Sequence, residues 1–203
     1  MAKLKIRHNN EIIEVPCAVT MKGGDLTPFI ERTATELTIP SGVTRIGRYA
    51  LYYNDKVQKI TLPESVTYIG PFAIASCEAL KEINLHNDIT IIDERAFMRD
   101  YALVVEKLPS ELTTIGAYAF YDCESIVSLN EIPAKVETIG DRAFYACHNL
   151  KEITFKGTPT SIADSAFGSC TALKTINVPW AEGAVADAPW GATNATINYN
   201  YKG

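Results

Sequence analysis

A chain of 203 residues, 47% of them apolar, has enough material for one sizeable folded unit. Its net charge of −5 is dispersed, with no Lys/Arg run and no interleaving of basic and aromatic residues, so no face is prepared for a polyanion and nucleic acid is not an expected partner. Five cysteines, an odd number, argue against a fully paired disulfide framework.

The opening segment Met1-Ala2-Lys3-Leu4-Lys5-Ile6-Arg7 lacks the apolar core of about 7–15 residues that a secretory signal carries, and no apolar run approaches the roughly 18 needed to cross a bilayer. The expectation is a chain with no membrane span and no export address, a pattern that a mature form trimmed of its signal would share. Residues 1–33 read as an N-terminal hairpin cap: Leu4 to His8, a turn at Asn9-Asn10, then Glu11 to Val15, with Pro16 closing the second strand. The stretch through Lys22 to Leu26 is expected to be a loop feeding the first of a series of repeats.

From there to Val178 the sequence repeats itself. The alanine of a recurring Ala-Phe or Ala-Leu type pair falls at Ala50, Ala73, Ala96, Ala119, Ala143 and Ala166, in steps of 23, 23, 23, 24 and 23. Isoleucine keeps the same beat at Ile46, Ile69, Ile92, Ile115, Ile139 and Ile162. A fixed period in this range is the mark of a stacked, quasi-one-dimensional fold, so residues 34–178 are expected to form a solenoid of about six coils.

One coil can be read in detail. Ile60-Thr61-Leu62 alternates inward, outward, inward as a short strand does, and Pro63 ends it by removing a ladder donor. Val66 to Ile69 alternates again as a second extended leg, and Gly70 is expected to permit a tight corner, as are Gly47, Gly116 and Gly140; Ala163 suits such a corner poorly, so the last coil is expected to differ there. From Pro71 to Leu80 the apolar spacing near i, i+3, i+4 and i+7 predicts one or two helical turns. The fold class expected is therefore an α/β repeat solenoid, with short strands on one face and short helices on another.

Two adjacent coils depart from the pattern. Glu106 takes the inward slot of Ile60, so Val105 is expected to turn in through a bulge, and Ser128 to Pro133 carries the one inserted residue. These irregularities either shape a binding surface or are tolerated drift. Cys77, Cys123, Cys147 and Cys170 share the slot filled by Asn54 and Asp100 in the other coils. They are expected to be buried structural thiols, reduced although coil spacing of about 5 Å would let neighbours approach each other. Lying in a line without a histidine, they do not make a zinc site. The segment 179–203 carries both tryptophans, Trp180 and Trp190, and is expected to cap the last coil; a carbohydrate-stacking platform is the alternative.

The string from Ile60 to Leu80, Ile-Thr-Leu-Pro-Glu-Ser-Val-Thr-Tyr-Ile-Gly-Pro-Phe-Ala-Ile-Ala-Ser-Cys-Glu-Ala-Leu, resembles the BspA-type leucine-rich repeat of bacterial surface and secreted proteins, as does Ile132 to Leu150. The resemblance spans the six units and implies a non-catalytic adhesion or protein-binding module. The two termini also look similar to those of prophage-encoded repeat proteins of gut Firmicutes, which would place the chain in a virion. Cell surface and virion are both left open.

Catalysis has little support in the residues. His8, His86 and His148 stand in separate places, no carboxylate pair is evident on one repeat face, and neither a phosphate loop nor a Gly-x-Ser-x-Gly is present. No metal, cofactor or catalytic residue is expected. What remains is surface: the outward position of each first strand, Thr38, Thr61, Asn84, Lys107, Glu131, Thr154 and Asn177, forms a polar row that is the candidate face for a protein or glycan ligand, with a solvated strand face as the plain alternative. A second candidate is the tyrosine cluster Tyr49, Tyr52, Tyr53 and Tyr68, of which at least two are expected to pack in the core. The function expected is recognition or adhesion through the solenoid surface, with a structural or receptor-binding virion component as the alternative.

Overall fold

The computed structural model describes residues 33–203 and, before them, the strands Lys3–His8, Glu11–Pro16 and Asp25–Leu26. The chain winds as a parallel β-solenoid of about seven turns with roughly 23-residue spacing. The second leg of each coil places one isoleucine inward, and these legs pair into a sheet of seven strands: Asp25–Leu26, Arg45–Ile46, Tyr68–Ile69, Ile91–Ile92, Thr114–Ile115, Thr138–Ile139 and Ser161–Ile162. Ile46 lies opposite Ile69, and Ile69 opposite Ile92, so register advances one rung per repeat. Asp25–Leu26 adds a rung ahead of the six that the repeat pattern marks; the rest of the expected feeding loop lies outside the described residues.

First legs behave differently. They form one sheet containing Glu36–Thr38, Lys59–Thr61 and Glu82–Ile83, and a second containing Ser128–Ile132, Glu152–Phe155, Thr175–Asn177 and Thr196–Asn198. Between them Leu103 to Pro109 belongs to no strand. The cause is legible in the side chains: Val105 turns inward and is buried while Glu106 faces solvent, as expected, and the swap breaks the alternation that pairing requires. The inserted residue shows as a register shift between Leu129 and Ile132, where Leu129 faces Ile153 but Ile132 faces Phe155.

The turn segments correct the expected helices: no described residue is helical. In the first five coils the residue before the alanine is left-handed, at Tyr49, Phe72, Arg95, Tyr118 and Arg142, and so is the residue four further on, at Tyr53, Ser76, Arg99, Asp122 and Ala146; the sixth keeps only the second of these, at Ser169. A helix cannot pass through such residues, and the backbone N–H groups go elsewhere. Arg95, Phe97 and Arg99 donate to the carbonyls of Ala117, Ala119 and Tyr121 in the next coil, at 2.8 Å each. Alternate residues close i to i+3 turns, as Ala96 does on Asp93 at 3.2 Å.

The corner glycines serve close packing between coils rather than the turn that was expected of them. None of Gly70, Gly116 and Gly140 has positive φ; a Cβ on Gly116 would instead lie 2.5 Å from the backbone of Asp93 and Glu94, one coil back. Ala163 makes the same bond as Gly140, each N–H donating to the isoleucine carbonyl of the preceding coil (Ile139 at 3.0 Å, Ile115 at 2.8 Å), so the last corner does not differ in its pairing.

Inside, stacked rows of identical residues build the core. Phe97, Phe120, Phe144 and Phe167 are fully buried, and their rings lie nearly parallel with centroids 5.2, 5.1 and 5.6 Å apart. The cysteines line a parallel row: Cys77, Cys123, Cys147 and Cys170 are free and buried, each Sγ donating to a carbonyl of the coil behind, such as Cys123 to Phe97 at 3.1 Å. Burial pushes the Cys77, Cys123 and Cys147 thiols well above their ordinary range, which disfavours the reactive thiolate.

At one end Lys3–His8 and Glu11–Pro16 form the expected hairpin, and its first strand lies antiparallel to Glu36–Thr38. At the other, Thr196–Asn198 adds a parallel rung onto Thr175–Asn177. Trp180 and Trp190 are buried against Phe155, with Phe155 to Trp180 centroids 5.1 Å apart and nearly perpendicular. Rings so covered cannot serve as a carbohydrate platform.

Candidate functional site

Where the first-leg sheet is interrupted, the surface is hollowed. Lys59, Thr61, Lys81, Glu82, Asn84 and Leu85 from two coils face Val104, Val105, Glu106 and Lys107 across a groove of about 570 Å³. Val104 is 50% exposed, an apolar patch beside charged neighbours. Among the described residues, the backbone N–H groups of Val105, Glu106 and Lys107 donate to no protein acceptor. Both an apolar contact and free donors are thus offered at the same place.

Its electrostatics are mixed in sign. Lys59 Nζ donates to Glu82 Oε2 at 2.7 Å, and that hydrogen bond raises the lysine and lowers the glutamate from their ordinary ranges. Beyond Lys107 a second depression of about 340 Å³ continues past Glu111, Glu131, Lys135 and Lys156. Lys135 pairs with Glu111, and Lys156 Nζ lies 3.8 Å from Glu131 Oε1.

The polar row expected along the first strands is split by the structure. Thr38, Thr61, Lys107 and Glu131 are exposed, and Thr61, Asn84 and Lys107 come together on the main groove, with Lys107 and Glu131 on its continuation. Asn84 is held from both sides of its amide: Oδ1 accepts from Leu62 N–H at 2.6 Å and Nδ2 donates to the Leu62 carbonyl at 2.9 Å. Thr154 and Asn177, expected outward, are buried. The extra rung at Thr196–Asn198 holds Asn177, since Asn198 Nδ2 donates to Asn177 Oδ1 at 2.8 Å, and Asn177 Nδ2 in turn reaches Glu152 Oε1 at 2.8 Å and Thr154 Oγ1 at 3.2 Å. These amides tie coils together.

The tyrosine cluster also needs correcting. Tyr49, Tyr52 and Tyr53 are exposed and Tyr68 is half-buried, so none packs in the core. The left-handed backbone at Tyr49 and Tyr53 turns their side chains outward, where Tyr49 stacks on Phe72 at 4.9 Å. Further along the same face Arg95 sits 4.6 Å from the Tyr118 ring centroid, and Tyr121 stacks on Tyr145 at 5.6 Å.

Sequence reasoning missed one cluster. His86 comes together with Glu64 and Asp88, their donor atoms all within 4.8 Å of one another, contrary to the expectation that no carboxylate pair shares a repeat face. The signal was present: His86 stands in the slot held by Pro40, Pro63, Pro109, Pro133 and Pro179 in other coils.

The BspA type leucine rich repeat region matches in six copies over residues 28–130 and 118–182, and the chain belongs to that family. Its members are generally non-catalytic binding repeats. A leucine-rich repeat protein of Treponema pallidum (TpLRR) superposes with a TM-score of 0.68 at 26% identity, covering 76% of each chain. One from Bacteroides ovatus gives 0.63 at 27% identity, over 85% of this chain and 45% of that one. The pneumococcal vaccine antigen PcpA shares the fold, with a TM-score of 0.67 at 21% identity over 87% of this chain and 44% of its own. The present chain thus spans less than half of the latter two. The prophage likeness of the termini finds no support. No curated protein matches the chain. Among the described residues no helix is long and apolar enough to cross a membrane.

Proposed function

We propose that this chain is a non-catalytic recognition module that holds an extended segment of a partner protein in the groove over Val104 to Lys107. The observation that carries the reading is the coincidence, at one interruption of the first-leg sheet, of an exposed valine, unbonded backbone donors and charges of both signs. An extended peptide offers what these groups need: carbonyls for the free N–H groups, an apolar side chain for Val104, and alternating charges for Glu106 and Lys107. Resemblance to bacterial surface proteins and antigens supports recognition as the task, and the family's binding repeats support a non-catalytic one. The hairpin before residue 34 and the tail after Val178 serve in this reading as caps to the binding stack.

Panning the immobilised chain against a random-peptide library, alongside a glycan array, tests the proposal. The expected result is saturable peptide binding that Val104→Asp and Lys107→Glu both weaken. Binding to glycans only, or peptide binding indifferent to both changes, would overturn it.

A further inference from the structure

We infer that Glu64, His86 and Asp88 form a binding site for a divalent transition-metal ion of the zinc type. The imidazole of His86 is the carrying observation. Its side chain is only 8% exposed, and neither Nδ1 nor Nε2 has a hydrogen-bond partner. Leaving a buried polar atom unsatisfied costs about 1–3 kcal/mol, and native structures hold few such atoms.

Where the ring points supplies the explanation for Nδ1. Nδ1 lies 3.5 Å from Glu64 Oε2. That is long for a hydrogen bond, but two donors about 2.1 Å from one tetrahedral ion stand about 3.4 Å apart. Asp88, two residues along the same turn, brings a second carboxylate, and all three donor atoms fall within 4.8 Å of one another. Glu64 and Asp88 are exposed, so rotation of their side chains closes the remaining distance without moving the coil. The buried imidazole is the fixed ligand and the two carboxylates are the adjustable ones.

The donor set selects the ion. One imidazole and two carboxylates suit zinc and its first-row neighbours better than calcium or magnesium, which take oxygen ligands alone. Three protein donors leave a coordination position for water. The position in the repeat agrees: where proline fills this slot no ligand is available, and only the coil with histidine is flanked by Glu64 of the preceding turn and Asp88 of its own.

Isothermal titration of the chelator-stripped full chain with zinc chloride tests the site, beside two variants. Glu64→Gln combined with Asp88→Asn alters only exposed side chains and so keeps the fold; His86→Pro places in this coil the residue common at the slot. Wild-type chain is expected to take up zinc in one-to-one ratio, with the His86 ring protons shifted in the NMR spectrum. Disturbing even an outer partner of a metal ligand weakens binding about tenfold or more, so either variant should lose at least that. No saturable uptake by wild type, or uptake unchanged in the carboxylate variant, would overturn the assignment.

Discussion

Asp100 illustrates how one residue type can be tolerated in a slot built for others. Its side chain is fully buried, with Oδ1 accepting from the Cys77 N–H at 2.7 Å and Oδ2 without a partner. Burial pushes the carboxyl well above the usual carboxylate range, outweighing the Cys77 bond that lowers it. Because the folded value is raised, the folded state holds its proton more tightly than the unfolded chain. Stability from this group is complete below about pH 4 and falls as pH rises toward the folded value. Asp100→Asn, which copies Asn54 of the first coil, is therefore expected to be more stable than wild type at pH 7 and to lose that advantage near pH 4. Urea melts at the two pH values measure it; a gap independent of pH would refute the argument.

At the scale of elements, the rows that cross coils do the stabilising. Phe120 lies between Phe97 and Phe144 with rings 5.2 and 5.1 Å away, so Phe120→Ala leaves a cavity touching three coils and should cost about 3–5 kcal/mol. A shift of the denaturation midpoint reports it, and a loss under about 1 kcal/mol would mean the stack collapses around the gap. The same rows explain what could be read from sequence. The period was legible because it recurs along the sequence, and the extended legs, the inward turn of Val105 and the hairpin because each depends on residues close together in the chain. The turn segments were not: a chain of tight turns with left-handed residues four apart buries positions at the same i, i+4 and i+7 spacing as a helix, and only the neighbouring coil reveals where the N–H groups go. Within the candidate groove Thr61, Lys107 and Glu131 were legible as outward residues. Asn177 was not, since the strand that pairs beside it comes some twenty residues later, nor was Thr154, which Asn177 reaches from the next coil; the His86 cluster was not, since Glu64 comes from another turn.

For the whole molecule, contacts run almost entirely between successive coils, so stability depends on both ends being closed. The tail supplies the last rung and two buried tryptophans, Trp190 with Nε1 donating to the Ala186 carbonyl at 2.7 Å. A chain ending at Val178 would expose Phe155, Phe167 and the edge of Thr175–Asn177. It is expected to self-associate, by light scattering after size exclusion, and to melt at lower temperature. A monomer with an unchanged melt would show that the tail is dispensable.

The seven-stranded sheet passes the inserted residue without a fault, with Ile115 still opposite Ile139, whereas the opposite side of the same coils is cut in two. One wall of the solenoid therefore works as a keel that keeps count, and the other as a margin where chain length is free to vary. A residue gained or lost within Leu103 to Pro109 or Ser128 to Ile132 changes the outline of the groove and leaves the keel aligned, so the surface is freest to change shape in the part of the wall that bears least of the structure.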